Sequence, residues 1–518
     1  MNGAHALLET LRANGVTTIF TNPGTTEIDL VAALDDVVDV HPVLCLFEGV
    51  ATGAADGFAR VTGRPAATLV HLGPGLANGW ANLHNARRAN SPVVNIVGDH
   101  PDAHRLLDPP LNSDLESLTR SLGGWHARID SANHVARLTS EAVAAAYGPP
   151  GRSATLLLPS NVAWEEVTAT PAPWPLSVRS PRETFDESTM VQALNCLRTK
   201  RTALFVGGDA VDAGQLELAQ RVCSATSARL IMETFPAIYD RGMGVVSPER
   251  LIYLSDFARA QLSELDAIVL IGTAAPVAPF AYRRGPDHLV AEGCEIISLC
   301  APGGDTRATL AALVDSTAAG ALTLPQGEPA PAPTGVLNPL SLAQAVAATI
   351  PEGLIISDES VTGGLHVYGA TQFSRRHRVM GFAGNSLGFG LPAALGAAQA
   401  KQGRVLALQA DGSMMYTLQA LWTMAREELD VTVVALSNRR YAIVEFELDQ
   451  VHQGPDGSAS RSLVDLDNPA LDLAGVARSL GVPSERVTNA DELVSALLRS
   501  YATPGPTFIE AMMPRGLG

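Results

Sequence analysis

The sequence predicts an α/β protein built from three doubly wound parallel sheets. Short β-branched runs alternate with longer Ala- and Leu-rich helical patterns along the chain, which is typical of βαβ units around a buried sheet. Two proline-rich segments, Pro171–Pro175 and Pro325–Pro333, interrupt this alternation and are typical of linkers. They predict domains at residues 1–168, 185–324 and 336–518, each of ordinary size.

Apolar runs locate the expected strands. An amphipathic helix that ends at Gly15 begins the chain, and a helical pattern runs from Tyr416 to Arg426. The runs that predict strands are Ala67–His71 and Val93–Val97, then Ala203–Val206, Arg229–Met232, Ala267–Ile271 and Glu295–Leu299, and finally Leu354–Ser357, Arg404–Leu408 and Val431–Leu436.

The composition indicates a compact globular protein. Of the 518 residues, 46% are hydrophobic and 17% are charged, which disfavours general disorder. A formal net charge of -17 argues against nucleic-acid binding, which needs a basic face. The N-terminus does not resemble a signal peptide, and no apolar stretch is long enough to predict a membrane helix. Five scattered cysteines without a CxxC pair are typical of reduced thiols, so we expect a cytoplasmic protein.

Polar residues follow two neighbouring predicted strands. Asp411-Gly412-Ser413 comes after the strand that ends near Leu408, and Asn438 lies 27 positions beyond Asp411, after the next strand. Asp-Gly-Ser alone is most often an ordinary turn. One βαβ crossover, however, brings both oxygen ligands to the same sheet edge, where Mg²⁺ and a diphosphate could bind. The backbone carbonyl of Arg440, two phosphate oxygens and a water would complete an octahedral set.

Glu48 follows the apolar run Val43–Phe47, so its carboxyl group is expected at the carboxyl edge of a sheet. A glutamate that caps the following helix is the alternative interpretation. Beyond it, Gly49, Gly53 and Gly57 recur every four residues and fall on one stripe of a helix, which allows close approach of another backbone.

These motifs resemble those of thiamine diphosphate enzymes. Ala410-Asp-Gly-Ser413 followed by Ser437-Asn438 is similar to the family's Gly-Asp-Gly to Asn-Asn motif, with Ala410 and Ser437 as departures that leave both metal-ligating side chains in place. The resemblance covers nearly the whole chain and is closest to 2-keto acid decarboxylases and carboligases, among them benzoylformate decarboxylase and acetolactate synthase large subunits. It rests also on Asn22–Thr25, Phe47–Gly49, His71–Gly75 and Asn385–Pro392.

The resemblance implies roles for individual residues. Glu48 would hydrogen-bond N1′ of the aminopyrimidine, and Leu387 would be the apolar residue that bends the cofactor. Thr362, Gly363, Gly412, Ser413 and Tyr441 would contact the cofactor. The helix after Glu48 would pack against its counterpart in a second subunit. The protein would therefore be a homodimer or homotetramer with active sites at the subunit interface, each combining Glu48 of one chain with Asp411 of the other.

On the substrate side, His71 matches an active-site histidine of benzoylformate decarboxylase and could relay protons, although a lone histidine is more often structural. Thr25 matches a hydroxyl that contacts the substrate carboxylate. The second histidine of that enzyme has no counterpart in the stretch Ala275–Tyr282, where Phe280 and Tyr282 would instead make the pocket apolar or aromatic.

The middle segment contains glycines in Phe205–Asp209 and Val269–Gly272 but lacks a GxGxxG turn. A structural Rossmann-like domain without a flavin is therefore expected.

The expected function is thiamine diphosphate- and Mg²⁺-dependent decarboxylation or carboligation of a 2-keto acid, through a C2 carbanion and an enamine as in the family. An acceptor aldehyde or ketone would be the second substrate of carboligation. Two alternatives stay open: a true acetolactate synthase that condenses two pyruvates, and a cofactor-binding scaffold without activity, which Ala410 and Ser437 would explain and Glu48 argues against.

Overall fold

The computed structural model describes residues 1–168, 174–281, 288–451 and 458–515. Residues 1–179 and 329–518 form one compact unit, and residues 180–328 form a second. Three mostly parallel sheets with flanking helices confirm the predicted α/β fold class.

The N-terminal segment folds around a parallel sheet. Its strands are β1 Thr18–Thr21, β2 His41–Leu44, β3 Ala66–His71, β4 Val93–Asp99, β5 Trp125–Arg128 and β6 Ser153–Pro159. Its helices are α1 Gly3–Ala13, α2 Ile28–Ala33, α3 Glu48–Thr62, α4 Leu72–Arg88, α5 Asp102–Arg105, α6 Leu115–Leu122, α7 Val135–Tyr147 and α8 Ser160–Trp164. The strand order β2-β1-β3-β4-β6-β5 reverses direction around β1, so the loops after β1 and β3 meet at one edge, where α/β proteins bind ligands.

The central unit has a parallel sheet of its own. Its strands are β7 Thr202–Val206, β8 Arg229–Met232, β9 Tyr239–Arg241, β10 Glu249–Arg250, β11 Ala267–Ile271 and β12 Glu295–Cys300, and its helices are α9 Glu187–Thr199, α10 Ala213–Thr226, α11 Ser255–Leu262 and α12 Thr306–Ser316. Five of these strands form the sheet, in the order β10-β8-β7-β11-β12.

The C-terminal segment contributes the third sheet. Its strands are β13 Leu354–Glu359, β14 His377–Met380, β15 Val405–Ala410, β16 Val431–Ser437, β17 Ser484–Val487 and β18 Thr507–Met512. Its helices are α13 Pro339–Thr349, α14 Val367–Ala370, α15 Gly390–Gln399, α16 Asp411–Met414, α17 Ala420–Arg426, α18 Ala442–Val451, α19 Ser458–Ser462, α20 Leu473–Ser479 and α21 Ala490–Ala502. These strands run parallel in the order β17-β18-β16-β15-β13-β14, which places the ends of β13, β15 and β16 side by side.

Two predicted boundaries were wrong. The helix predicted from Tyr416 begins at Ala420, because the hydroxyl of Thr417 donates to the carbonyl of Gly388 and the intervening residues form turns. The expected strand before Glu48 stops at Leu44. Glu48 is instead the first residue of α3, as in the alternative helix-cap interpretation.

Helix α3 packs against α15 of the same chain. A Cβ atom at Gly57 would lie 2.1 Å from the carbonyl oxygen of Ala393, and one at Gly396 would lie 1.8 Å from that of Ala54. Gly53 likewise faces Pro392. The prediction of close backbone approach is therefore confirmed for this stripe. Helix α15 makes this approach at Gly53 and Gly57 within the chain, and packing of α3 against a second subunit stays a prediction.

Candidate active site

A cleft opens at the carboxyl edge of the C-terminal sheet. It encloses about 680 Å³ including its mouth, and its walls come from the segments that follow β13, β15 and β16, the turn at Leu387 and the start of α18. The predicted residues that line it are Thr362, Gly363, Leu387, Asp411, Gly412, Ser413, Asn438, Arg440 and Tyr441. The structure thus brings the predicted diphosphate and metal residues together.

Asp411 is the carboxylate of this cleft and is only 2% exposed. Its Oδ1 atom accepts a hydrogen bond from Gly412 N at 2.8 Å, and Oδ2 accepts one from Arg439 N at 2.6 Å. Burial raises the pKa of Asp411 to about 6, against the effect of these backbone hydrogen bonds. A divalent cation would compensate the buried negative charge.

Asn438 lies beside Asp411 because β15 and β16 pair in register, with Ala410 opposite Leu436. Its Oδ1 atom accepts from Arg440 N at 3.0 Å, which turns the chain back over the cleft. The Arg440 side chain pairs with Glu445, while its Nε atom is buried without a hydrogen-bond partner among the described residues. A phosphate oxygen would satisfy such a donor.

Three residues with a left-handed backbone conformation lie next to predicted residues. Arg439, Val361 and Leu72 have φ angles of 60°, 49° and 54° and directly adjoin Asn438, Thr362 and His71. Positive φ is a genuine outlier for a bulky or β-branched residue, and such outliers cluster at functional sites.

The departure at Ala410 leaves the local backbone ordinary. Ala410 has φ -72° and ψ 144°, an extended conformation that any residue adopts, so a glycine is not required there. At Gly412 a Cβ atom would lie 2.4 Å from Cε1 of Tyr441, so any larger residue would displace the Tyr441 ring.

The donor set fits a diphosphate held through Mg²⁺. It combines one carboxylate, one amide oxygen, hydroxyl groups of Thr362 and Ser413, and an unpaired guanidinium nitrogen. No cluster of three or more His, Cys, Asp or Glu side chains occurs in the described part of the chain, and this set needs only one carboxylate.

Glu48 lies outside the lining of this cleft. It is 7% exposed, and one carboxylate oxygen accepts a hydrogen bond from Asn78 Nδ2 at 3.1 Å. Gly75 leaves room for the other oxygen, since a Cβ atom there would lie 3.2 Å from it. The sequence did not predict Asn78 as a partner of Glu48. Asn78 lies one turn after Gly75 on α4, which allows this contact.

His71 ends β3 and is bound to a buried carboxylate. Its Nδ1 atom lies 2.8 Å from Oε2 of Glu27 and 3.1 Å from Oγ1 of Thr26. Glu27 is 1% exposed and also accepts from Gly24 N at 2.7 Å. Thr25, the predicted substrate contact, is exposed beside this group. Sequence reasoning missed Thr26 and Glu27, whose only signal is that they directly follow the Asn-Pro-Gly-Thr motif.

The turn that carries Leu387 is held by a second buried carboxylate that sequence reasoning missed. Glu359 ends β13, is 1% exposed, and accepts hydrogen bonds from Gly388 N and Gly390 N at 2.7 Å each. Burial raises its pKa to about 7.

Phe280 belongs to the central unit, where its side chain is 60% exposed outside any helix or strand. The predicted neighbour Tyr282 lies outside the described residues.

Comparison with known proteins agrees with this site. Residues 1–118 match the N-terminal TPP binding domain of thiamine pyrophosphate enzymes, and residues 362–511 match their C-terminal TPP binding domain. The chain therefore belongs to the thiamine pyrophosphate enzymes, as the resemblance implied.

Two relatives match along the full chain. A Mycobacterium tuberculosis protein with the provisional name acetolactate synthase large subunit IlvX is 44% identical over 522 residues, which cover 100% of both chains. Benzoylformate decarboxylase of Pseudomonas aeruginosa is 29% identical over 540 residues, covering 98% of this chain and 97% of the relative.

A solved structure has the same fold. The thiamine diphosphate-dependent 4-hydroxybenzoylformate decarboxylase of Rhodococcus jostii RHA1 covers 100% of both chains with a TM-score of 0.85 and 23% identity. At that identity the likeness concerns the fold alone. Among the described helices, none combines the length and apolar character needed to cross a bilayer.

Proposed function

We propose that this enzyme uses thiamine diphosphate and Mg²⁺ to decarboxylate 2-keto acids and, with an acceptor aldehyde or ketone, to join the remaining fragment to it. The observation that carries the proposal is the cleft in which Asp411, Asn438 and Leu387 meet at one sheet edge. The cofactor, when bound, would supply a carbon nucleophile and an electron sink for the bonding pair that stays behind when CO₂ leaves.

The chain's own residues would bind and move protons. Mg²⁺ would be held by Asp411, Asn438 and the Arg440 carbonyl. The diphosphate would be held by Thr362, Gly363, Gly412 and Ser413. Tyr441 would close that end of the cleft. Leu387 would support the bent cofactor, and Glu48 would exchange a proton with its pyrimidine ring. His71, oriented by Glu27, would deliver or remove a proton at the substrate carbon or oxygen. Thr25 and Phe280 would border the substrate.

We further propose a cytoplasmic homodimer or homotetramer with domains at residues 1–168, 185–324 and 336–518. The lining of the cleft supports an oligomer, because it draws only on residues 339–514 and lacks Glu48. A second copy of the chain would supply the missing pyrimidine-binding wall.

Acetolactate synthesis is the second candidate, favoured by the name of the Mycobacterium tuberculosis relative. The pair of buried Glu27 and half-buried His71 favours a decarboxylase instead, since it would provide a proton relay on the substrate side. An inactive scaffold is disfavoured because Ala410 adopts an ordinary conformation and the donor set is complete.

The test is to incubate the purified protein, thiamine diphosphate and Mg²⁺ with a panel of 2-keto acids, with and without acceptor aldehydes. Release of CO₂ and aldehyde would support the decarboxylase, and ligation products would support the carboligase. Acetolactate as the main product from pyruvate would favour the second candidate. Absence of both turnover and exchange of the cofactor C2 proton would overturn the proposal.

A further inference from the structure

Glu359 occupies an unusual position for an acidic residue. It is the last residue of β13, its side chain is 1% exposed, and the described structure gives it no arginine, lysine or histidine partner. An unpaired buried carboxylate is costly, so a structure retains one where its hydrogen bonds do something that a neutral residue cannot.

Its hydrogen bonds go to a single turn. Oε1 accepts from Gly388 N and Oε2 from Gly390 N, each at 2.7 Å, so both carboxylate oxygens hold the backbone directly after Leu387. The amide of Gly388 belongs to the peptide group that begins at the Leu387 carbonyl. The carboxylate therefore fixes the orientation of that peptide plane.

The other side of the turn is equally constrained. The Gly388 carbonyl accepts from Asn82 Nδ2 and from Thr417 Oγ1, both at 3.1 Å. Gly388 has a φ of 89°, and a Cβ atom there would lie 2.8 Å from Cβ of Tyr416, so the turn has no room to shift towards α17. Leu387 is left half-buried, with its side chain in the wall of the cleft.

We propose that Glu359 is a positioning residue for thiamine diphosphate, because its two backbone hydrogen bonds fix the turn from which Leu387 enters the cleft. This inference rests on the proposed function, in which Leu387 contacts the bound cofactor. A glutamine at position 359 could accept from only one of the two amides and would direct an N–H group at the other. The side chain volume would be unchanged.

A double-mutant cycle on full-length, cofactor-free protein tests this inference. The dissociation constant for thiamine diphosphate in Mg²⁺ buffer at about pH 8, where Glu359 is mostly ionised, is measured by calorimetry for the parent, Glu359→Gln, Leu387→Ala and the double variant. We expect Glu359→Gln to weaken binding about tenfold or more, the usual effect of losing a hydrogen bond to a charged group. Leu387→Ala should weaken binding in the parent but by less than about twofold in the Glu359→Gln background, since an unfixed leucine contributes little.

Glu510→Gln is the control. Glu510 is also fully buried, and its Oε2 atom accepts from the backbone N–H of Ala474 and from Arg486 Nε, but it lies on β18 and outside the cleft lining. Its replacement should leave the effect of Leu387→Ala intact. An unchanged affinity in Glu359→Gln, or an equal effect of Leu387→Ala in both backgrounds, would overturn the inference.

Two further outcomes are covered. If Glu359→Gln does not fold, Thr417→Val replaces it in the cycle. Thr417→Val removes a different hydrogen bond to the same turn. Additive effects of Thr417→Val and Leu387→Ala on the dissociation constant would then overturn the inference. A parent protein that binds no thiamine diphosphate would overturn the proposed function and this inference with it. Binding without coupling between positions 359 and 387 would overturn this inference alone.

Discussion

The Oε2 atom of Glu27 lies 2.8 Å from the Nδ1 atom of His71. Glu27 is 1% exposed and is itself held by the backbone N–H of Gly24 and the hydroxyl of Thr26. A carboxylate in this position favours a proton on Nδ1. In the proposed function, Nε2 would then be the nitrogen that exchanges protons with a substrate.

Replacing Glu27 by glutamine should therefore slow turnover without releasing the cofactor. We expect kcat to fall about 10- to 100-fold, the usual effect of losing a group that orients a functional histidine. The dissociation constant for thiamine diphosphate should stay unchanged, because Glu27 lies outside the cleft lining. Asp36→Asn is the control, since Asp36 pairs with His5 on the surface of the same segment. A normal kcat in Glu27→Gln would show that the pair is structural.

Glu48→Gln should abolish proton exchange at the cofactor. If Glu48 exchanges a proton with the pyrimidine ring, its loss should slow hydrogen–deuterium exchange at C2 of bound thiamine diphosphate by at least about 100-fold. The measurement is NMR after acid quenching. Glu27→Gln provides the comparison, because it should retain rapid exchange while turnover falls. Equal exchange rates in Glu48→Gln and the parent would contradict the assigned role.

Asp411→Asn should raise the Mg²⁺ concentration needed for cofactor binding. The substitution preserves side chain size but removes the charge that a hard cation prefers, so we expect at least about a 10- to 100-fold increase. The measurement is thiamine diphosphate binding as Mg²⁺ is titrated into chelator-treated protein. Asp430→Asn is the control, since Asp430 lies before β16 at the opposite end of the strand from Asn438. An unchanged Mg²⁺ requirement would remove Asp411 from the metal site.

The fold class followed from the sequence because buried parallel strands are continuous apolar runs. Strands such as Arg229–Met232 and Ala267–Ile271 lie at the predicted residues. Ser153–Pro159 was missed, since a short apolar run followed by a helix cannot be told from a helical segment by periodicity alone.

The diphosphate side of the site was equally accessible to prediction, because one crossover between adjacent strands fixes where Asp411 and Asn438 lie. The pair of Glu27 and His71 was not, since it joins residues 44 positions apart through the pairing of β1 with β3. Glu359 also gave no signal, because its role depends on a turn 29 residues away. The contact of Gly53 and Gly57 with α15 was not predicted for a similar reason: a helix sequence shows a close contact but not which backbone makes it.

Glu359 should make the stability of the cofactor-free protein depend on pH. Burial and the nearby Asp358 carboxylate raise its folded-state pKa to about 7, above the ordinary value of 4.5. The folded state therefore binds the proton more tightly than the unfolded state. Its contribution to the free energy of unfolding is complete below pH 4.5 and is lost as the pH rises through about 7.

Between about pH 6 and pH 8 this group alone should lower the free energy of unfolding by about 1 kcal/mol. The urea midpoint of the cofactor-free protein should therefore fall over this range, and it should fall less in Glu359→Gln. The pKa of Asp411 is also raised, to about 6, so the free energy of unfolding falls in the same direction at lower pH because of this group. Asp411 is present in both proteins and does not account for a difference between them. Identical pH dependence in the two proteins would contradict the prediction.

Gly57→Ala should destabilise the protein and impair the site together. A Cβ atom at this position would lie 2.1 Å from the Ala393 carbonyl oxygen and 2.5 Å from its Cα atom, and neither backbone atom can rotate away. Separating α3 from α15 should lower stability by about 1–3 kcal/mol, as overpacking does in other cores. Because α3 begins at Glu48 and α15 directly follows the Leu387 turn, the same separation should weaken thiamine diphosphate binding.

Gly369→Ala is the control, since a Cβ atom there meets no heavy atom within 4 Å, and it should leave the thermal midpoint and cofactor affinity unchanged. If Gly57→Ala keeps the parent's thermal midpoint, the contact between α3 and α15 does not constrain the fold as its geometry requires.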